Sequence, residues 1–540
     1  NRIGDKAFAD ADSSGLWKVY EKINPYTTVV SKSPDIIDNQ DYGWRIVARN
    51  DGRTAVVSAP TKGQGTLHFL FRTQSGVTFS STGDDASGTS VNEGAGSSFS
   101  VQNSATMTDN TDNTSKLGYS LSMSTDENFV VAGAPFCNTL DSDGSTRQID
   151  SGLVKIYIWD PSAFKYSLLH TVNPPSDGSS SNENLNFGWS HKICEPTLNS
   201  TRDTSIKYMY VTAPGHLLDT GRVYVYKWGV GVDGSTYDTW TQTSLIEAPD
   251  GGSGQRFGHI VQANDNGDVI AVSSKAPGNA GKVEIFVRQG HTNDASTTDT
   301  FTLTQTITGI SADGSSLNTA FGDSMTMSKD GDTLVIGAPG YDDSTEADAG
   351  AVYIYKWNVD GSTSTYTLDQ KIVSPENKSN MRFGTSLDIN DSGTRIVVGG
   401  EGVSSDKEIR FDSGATTFDL QGTTIIDDNI GSGGAYTLTK YNTKFVIDDR
   451  LITSSVSPND DFGRGVCIID NSVFVGAPED DGNISTDGSS LSSNDGTVAM
   501  YDCNELNVYS WKPITTETPM VDRDRVGQGF VFDKNNSTII

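Results

Sequence analysis

One pattern of apolar and polar positions recurs along the whole chain. Each copy opens with an apolar, usually aromatic residue followed by glycine, and continues through a short alternating run to a tight polar turn. An apolar run ending near Ala-Pro comes next, and a further glycine then leads into a run rich in Val and Tyr. The clearest copy extends from Phe321 through Pro339 to the segment after Gly350. Such a unit covers its apolar faces by stacking against its neighbours.

Each copy predicts four antiparallel strands, which we name a to d. In the clearest copy they are SMTMS at 324–328, TLVIGAP at 333–339, AVYIYKW at 351–357 and YTLDQKIV at 366–373. Asp-Gly and Asn-Gly turns between such runs favour hairpins. Strand c is apolar at successive positions, which predicts a sheet covered on both faces. No segment shows a helical period of useful length, so the chain is predicted to be all-β.

Four-stranded units that cover one another predict the blades of a β-propeller, as a single domain over residues 1–540. The copies begin near residues 42, 117, 187, 257, 321, 383, 462 and 526. The run GLWKVYEK from Gly15 matches strand c, YTTVV at 26–30 fits strand d, and the last copy supplies strands a and b. Joining 526–540 to 1–41 predicts eight blades, one of them split between the termini. The alternative is seven blades.

These residues resemble the FG-GAP repeat, the unit of the integrin α-subunit head. The closest resemblance is to the short form FG.S…DG..L.VGAP…G.VYVY, found in surface proteins of microbes, algae and their viruses, and it covers nearly the whole chain. It implies an extracellular or surface propeller that acts in recognition and adhesion. The calcium loop DxDxDGxxD of integrin-type repeats has no counterpart, because connections such as SKDGD at 328–332 are too short to surround Ca²⁺ with about 6–8 oxygens.

Composition narrows the classes of partner. The chain has 69 acidic and 39 basic residues, a net charge of −30, which disfavours binding to nucleic acid or to an anionic membrane surface. No apolar run approaches the about 18 residues that a membrane span needs, so direct membrane insertion is not expected. Four cysteines in 540 residues exclude a disulfide-stapled scaffold. A start at Asn1 without an apolar signal-like segment predicts a processed or excised chain.

Acidic groups in the predicted b–c loops are the candidate metal ligands. Carboxylate oxygens suit Ca²⁺, which makes peripheral calcium the candidate cofactor, while solvated loop charge is the favoured alternative in so acidic a chain. The candidates are Asp141, Asp143, Asp342, Asp343, Glu346 and Asp348.

No catalytic motif is recognisable, so the chain is predicted not to be an enzyme. Its six histidines are scattered, with no HExxH, Walker loop or GxSxG. His191 and His259 fall on predicted a strands beside the axis, where a structural hydrogen bond is the favoured role.

Two kinds of covalent modification stay open at this stage. Four cysteines allow three pairings, and free thiols are an equal alternative; they are Cys137, Cys194, Cys467 and Cys503. Sequons for N-glycosylation occur at Asn113, Asn199, Asn377, Asn483, Asn535 and Asn536.

The sequence therefore predicts a non-enzymatic surface propeller that recognises a protein or a glycan. A structural subunit of an extracellular filament, sheath or virion, in contact with neighbouring subunits, is the first alternative. A propeller that binds or hydrolyses polysaccharide is the second, with Trp44, Trp189 and Trp240 as candidate sugar-stacking residues. The shared position of Trp44 and Trp189 after the repeat glycine favours a packing role for both.

Overall fold

The computed structural model gives the arrangement of most of the repeats. The residues it describes are 17–23, 41–49, 54–73, 98–107, 115–140, 144, 147–162, 165–175, 183–195, 197–198, 201–202, 207–230, 236–275, 281–289, 299–309, 319–343, 346–360, 363–375, 379–402, 433–451, 460–469, 472–479, 496–503, 532–533 and 538–539.

Within these residues, seven four-stranded antiparallel sheets form the blades of a propeller. The first strand of the chain is β1 (Trp17–Ile23), and blade 1 contains β2 (Ile46–Ala48), β3 (Thr54–Ala59), β4 (Thr66–Thr73) and β5 (Ser98–Thr106). Blade 2 contains β6 (Ser120–Met123), β7 (Phe129–Ala134), β10 (Leu153–Asp160) and β11 (Lys165–Val172), with the loop pair β8 (Thr139–Leu140) and β9 (Arg147–Gln148). Blade 3 contains β12 (His191–Cys194), β15 (Lys207–Ala213), β16 (Arg222–Val230) and β17 (Thr236–Glu247), with the loop pair β13 (Thr197–Leu198) and β14 (Thr201–Arg202).

The second half continues the same plan. Blade 4 contains β18 (Phe257–Ala263), β19 (Val269–Ser274), β20 (Lys282–Gln289) and β21 (Thr300–Thr308), and blade 5 contains β22 (Ser324–Met327), β23 (Thr333–Ala338), β24 (Ala351–Asp360) and β25 (Thr363–Val373). Blade 6 contains β26 (Phe383–Ile389), β27 (Arg395–Gly400), β28 (Gly434–Tyr441) and β29 (Lys444–Leu451). Blade 7 contains β30 (Gly465–Ile469), β31 (Ser472–Ala477) and β32 (Thr497–Cys503), and β33 (Phe532–Asp533) and β34 (Thr538–Ile539) form a separate pair.

The all-β prediction is confirmed. The four-residue turn α1 (His216–Asp219) is the one helix among the described residues. No helix in the described part of the chain is long and apolar enough to cross a membrane.

The apolar core lies between the blades. Strand b is buried at every position in blade 5, where β23 reads TLVIGA, because both of its faces are covered as the unbroken apolar run predicts. Seven clusters of buried side chains each join two neighbouring blades, and one of them packs Tyr42 and Ile46 of blade 1 against Phe474 and Met500 of blade 7. The ring is thus closed by the same packing that joins consecutive repeats.

The residues that recur in every repeat lie at the contacts between neighbouring blades. Gly350 precedes strand c of blade 5 and forms a parallel bridge with Phe383, the aromatic residue that opens blade 6. Its φ of +85° and the close approach of Phe383 leave no room for a side chain. The hydroxyl of Ser324 donates a hydrogen bond of 2.6 Å to the carbonyl oxygen of Gly384 in the same neighbouring blade. The motif is therefore the signature of blade-to-blade contact.

The chain closes the ring with its first strand. β1 pairs antiparallel with β32, with Trp17 opposite Cys503 and Ile23 opposite Val498. The N-terminal segment thus supplies strand d of blade 7, whereas the sequence predicted it as strand c of a split blade. The described residues form seven blades, the number predicted as the alternative, and the eighth blade is not formed among them. The free edge of β32 requires a pairing partner, and a strand-like sequence alone does not determine which strand position it takes.

Candidate functional site

Equivalent positions of the seven repeats meet at one end of the propeller axis. The innermost strands β2, β6, β12, β18, β22, β26 and β30 contact one another in ring order. The residue after each repeat glycine stands at the start of these strands, so all seven lie at the same end. We call this group the mouth ring; its members are Trp44, Tyr119, Trp189, His259, Asp323, Thr385 and Arg464.

One arc of the mouth ring is aromatic. The ring centroids of Trp44 and Tyr119 are 5.7 Å apart, and those of Tyr119 and Trp189 are 4.9 Å apart. The indole Nε1 of Trp44 donates to the backbone oxygen of Tyr119 at 3.2 Å. Phe136 packs behind Tyr119 and Trp189, with centroid distances of 5.5 and 5.8 Å. All three arc residues are half-buried, so part of each ring remains accessible to a ligand.

Arginine guanidinium groups lie against this arc. That of Arg464 is 4.5 Å from the centroid of Trp44, and that of Arg256 is 5.4 Å from the centroid of Trp189. Arg45 donates to the backbone oxygens of Trp44 at 3.1 Å and of Arg464 at 3.4 Å. Guanidinium groups stack favourably on aromatic faces, which fixes the orientation of their N–H groups.

Two carboxylates form the opposite arc. Asp323 accepts from Lys275 at 2.6 Å and lies 3.6 Å from His259. Glu401 pairs with Arg382 at 3.3 Å and with Arg464. These contacts link blades 4 to 5 and 6 to 7 across the mouth.

Burial and neighbouring charge set the protonation of these groups. Burial lowers the pKa of Arg464 to about 10, and Arg45 adds to this effect by like-charge repulsion. Burial also lowers the pKa of His259 to about 4, against the opposing effect of Asp323, so His259 is neutral at pH 7. Burial raises the pKa of Tyr119, which keeps its hydroxyl protonated. At neutral pH the mouth therefore presents cations, neutral donors and carboxylates, with each carboxylate paired to a cation.

The candidate metal ligands that the structure describes are engaged in their own loop. Asp342 accepts a hydrogen bond from the backbone N–H of Asp348 at 2.8 Å, and Glu346 accepts from the N–H and hydroxyl of Ser379 at 2.9 and 2.6 Å. Asp343 and Glu346 form an isolated bridge through their backbones. Within the described residues, no three His, Cys, Asp or Glu side chains are placed to hold a metal ion. Asp141 and Asp143 lie outside the described residues, and calcium binding stays a prediction.

The other candidates are structural where they are described. His191 is buried, its Nδ1 is 2.7 Å from the hydroxyl of Ser122, and burial lowers its pKa to about 4. Trp240 is buried against Trp228, with centroids 5.6 Å apart, so it is a core residue.

The predicted covalent sites are only partly described. Cys194 and Cys467 are buried free thiols and Cys137 is buried as well, while the side chain of Cys503 lies outside the described residues. All six sequons lie outside them as well, namely Asn113, Asn199, Asn377, Asn483, Asn535 and Asn536.

Sequence reasoning found Trp44, Trp189 and His259 but missed the site that they belong to. Aligning the residue after each repeat glycine would have found the ring. A second signal is the proline at the end of strand b, which five repeats keep. In blades 4 and 6 the residue directly after strand b is instead Lys275 or Glu401. Both replacements are charged, and both pair with a residue of the mouth ring.

Comparison with known proteins supports the repeat family. A model of the FG-GAP repeat matches residues 304–355, which run from strand d of blade 4 into strand c of blade 5. A search of curated protein sequences finds no match. Among solved structures, the chain is similar to 6-phosphogluconolactonase-like proteins of Bacteroides uniformis and Bacteroides fragilis, at 13% identity and a TM-score of 0.36 in each case. The alignments cover 70% of this chain and 83% and 82% of those chains, and a resemblance of this degree carries no argument about activity.

Proposed function

We propose that this FG-GAP-repeat β-propeller is a non-enzymatic recognition module of the extracellular space or of a cell or virion surface, and that it binds a protein or glycan partner at the mouth ring. The observation that supports this most is the convergence of aromatic, cationic and acidic side chains from different blades at one end of the axis. Half-buried aromatic residues beside a few fixed polar groups are typical of ligand binding.

The chemistry of the mouth favours binding over catalysis. Covalent catalysis requires a nucleophile within hydrogen-bonding reach of a base. His259 lies beside Asp323 and Trp189, and it makes no hydrogen bond to a hydroxyl or thiol among the described residues. The guanidinium groups of Arg45 and Arg464 are held by backbone oxygens, an indole face and a carboxylate, an arrangement suited to holding a ligand in place.

Binding of the labelled protein to arrays of glycans and extracellular proteins tests this proposal. We expect at least one saturable ligand whose binding falls by ten-fold or more in the double variant Arg45→Gln/Arg464→Gln, because charged hydrogen bonds contribute about 1.5–3 kcal/mol each. The matched control is Lys329→Gln/Lys444→Gln, which removes two cations from turns at the opposite end of the blades and should leave binding unchanged.

The same experiment tests the absence of catalysis. Mass spectrometry of the ligand after prolonged incubation should recover it intact. Cleavage by the wild-type protein would contradict a non-enzymatic role, and equal loss of binding in both double variants would contradict binding at the mouth.

A further inference from the structure

Cations surround one side of the mouth ring in a chain of strongly negative charge. The chain as a whole carries −30, yet Arg45, Arg256 and Arg464 all surround the aromatic arc. Of these three cations, Arg45 is the one whose charge is least neutralised by carboxylates. Among the described residues its guanidinium donates to two backbone carbonyl oxygens and has no carboxylate at ion-pairing distance. Arg464, by contrast, pairs with Glu401 and lies in the field of Asp323, while Arg45 repels it.

Two of these guanidinium groups also keep a buried donor without a hydrogen bond. The Nε atoms of Arg256 and Arg464 are inaccessible to solvent and make no hydrogen bond in the described part of the protein, and the Nε of Arg256 lies 3.8 Å from a carboxylate oxygen of Asp219. A buried donor that lacks a partner is costly, and an oxygen atom of a ligand would remove that cost. Stacking on Trp44 and Trp189 holds both guanidinium groups in place before a ligand arrives, which lowers the entropy lost on binding.

A carboxylate fits these donors. Its two coplanar oxygens match the planar fork of a guanidinium group, and such pairs are shorter and stronger than neutral hydrogen bonds. Arg45 and Arg464 lie close enough for the first to donate to the backbone oxygen of the second, so they can share one anionic group.

The remaining arcs distinguish a sugar from an acidic peptide. Asp323 and Glu401 are acceptors on the side of the mouth opposite to the aromatic arc, where they would repel a second peptide carboxylate but accept hydrogen bonds from hydroxyl groups. The half-buried rings of Trp44, Tyr119 and Trp189 offer aromatic surface on which the apolar C–H groups of a sugar ring can pack.

We propose that the mouth ring binds a uronate residue of an acidic glycan, with the carboxylate on the arginine groups, the ring carbons on the aromatic arc and the hydroxyl groups on Asp323 and Glu401. This assignment rests on the proposed recognition function and specifies its ligand class.

Calorimetric titration of the full chain with oligogalacturonate, and with the same oligomer fully methyl-esterified, tests the assignment. The ester keeps the sugar ring and removes only the charge. We expect saturable binding of oligogalacturonate and binding of the ester at least ten-fold weaker. Arg464→Gln should weaken oligogalacturonate binding about ten- to hundred-fold, as expected for loss of a charged hydrogen bond.

Arg256→Gln is the second variant, because Arg256 is 34% exposed and its replacement is better tolerated by the fold. It should weaken binding in the same direction. Lys329→Gln, in a turn at the far end of the blades, is the control and should bind as the wild-type protein does. Thermal melts of all variants verify folding.

Several results would overturn the uronate assignment. They are no binding of oligogalacturonate, equal binding of the ester, wild-type binding by both arginine variants, or tighter binding of hexaglutamate than of oligogalacturonate. If one of these occurs while the arrays still give a ligand that depends on Arg45 and Arg464, the ligand class is wrong and the recognition function stands. If no array ligand depends on the mouth either, both proposals fail.

Discussion

Replacing Gly350 with alanine is expected to lower the free energy of unfolding by about 2–5 kcal/mol. The φ of +85° costs an L-residue about 1–2 kcal/mol. The added Cβ would also lie 2.2 Å from the backbone nitrogen of Phe383 and 2.3 Å from its oxygen. Neither atom can rotate away as a side chain would, so the two blades must separate, and forced overpacking of this kind typically costs a further about 1–3 kcal/mol. Urea denaturation followed by tryptophan fluorescence measures the loss.

Gly254→Ala is the matched control. Gly254 has a similar φ of +78°, but an added Cβ would meet nothing within 4 Å. We expect it to cost only the backbone strain, about 1–2 kcal/mol. The difference between the two variants therefore measures the contact between blades 5 and 6. Equal destabilisation by the two substitutions would mean that the repeat glycine is required for its conformation alone.

A buried charge network between blades 3 and 4 should be still more sensitive. Asp299 is 1% exposed and lies 2.8 Å from the Nζ of Lys227 and 3.6 Å from a guanidinium nitrogen of Arg288, which are 4% and 2% exposed. Asp299→Ala leaves both cations buried without their carboxylate. Removing one partner of a buried pair typically costs about 3–5 kcal/mol, because the remaining charge keeps its desolvation penalty. We expect a loss of this size in urea denaturation.

The exposed pair of Asp391 and Lys329 provides the comparison. Their side chains are 47% and 35% exposed at a separation of 3.2 Å, and solvent screens such pairs to about 0–1 kcal/mol. Asp391→Ala should therefore be nearly neutral. A loss of less than about 1 kcal/mol in Asp299→Ala as well would show that water reaches the network between the blades.

The fold could be predicted from the sequence because its signals are local and repeated. Asp-Gly turns and unbroken apolar runs specify antiparallel strands covered on both faces, and the repeat specifies blades. The closure could not be predicted in the same way. The segment GLWKVYEK has the composition of strand c, but the place of residues 17–23 on the outer edge of blade 7 depends on which strand edge is left unpaired when the ring is complete. That is a property of the assembled ring.

The mouth ring could not be predicted from the sequence for a related reason. Its members are up to 420 residues apart along the chain, from Trp44 to Arg464, and no short motif joins them. Their residue types also differ from blade to blade, so a search for a residue type that recurs in every repeat does not find them. What they share is a position in the repeat, and the informative residues are those that depart from the consensus, such as Lys275 and Glu401 in place of proline. In this propeller the residues that recur in every repeat form the contacts between blades, and the residues that vary from repeat to repeat at the axis form the mouth ring.

The mouth ring exists only if seven blades close the ring with β1 in blade 7. Electron cryo-microscopy of the full chain tests this most directly, with particles viewed along the propeller axis. We expect seven lobes, with density for residues 17–23 on the outer edge of the blade that contains β30, β31 and β32. Eight lobes, or residues 17–23 paired with the segment that follows Val526, would contradict it.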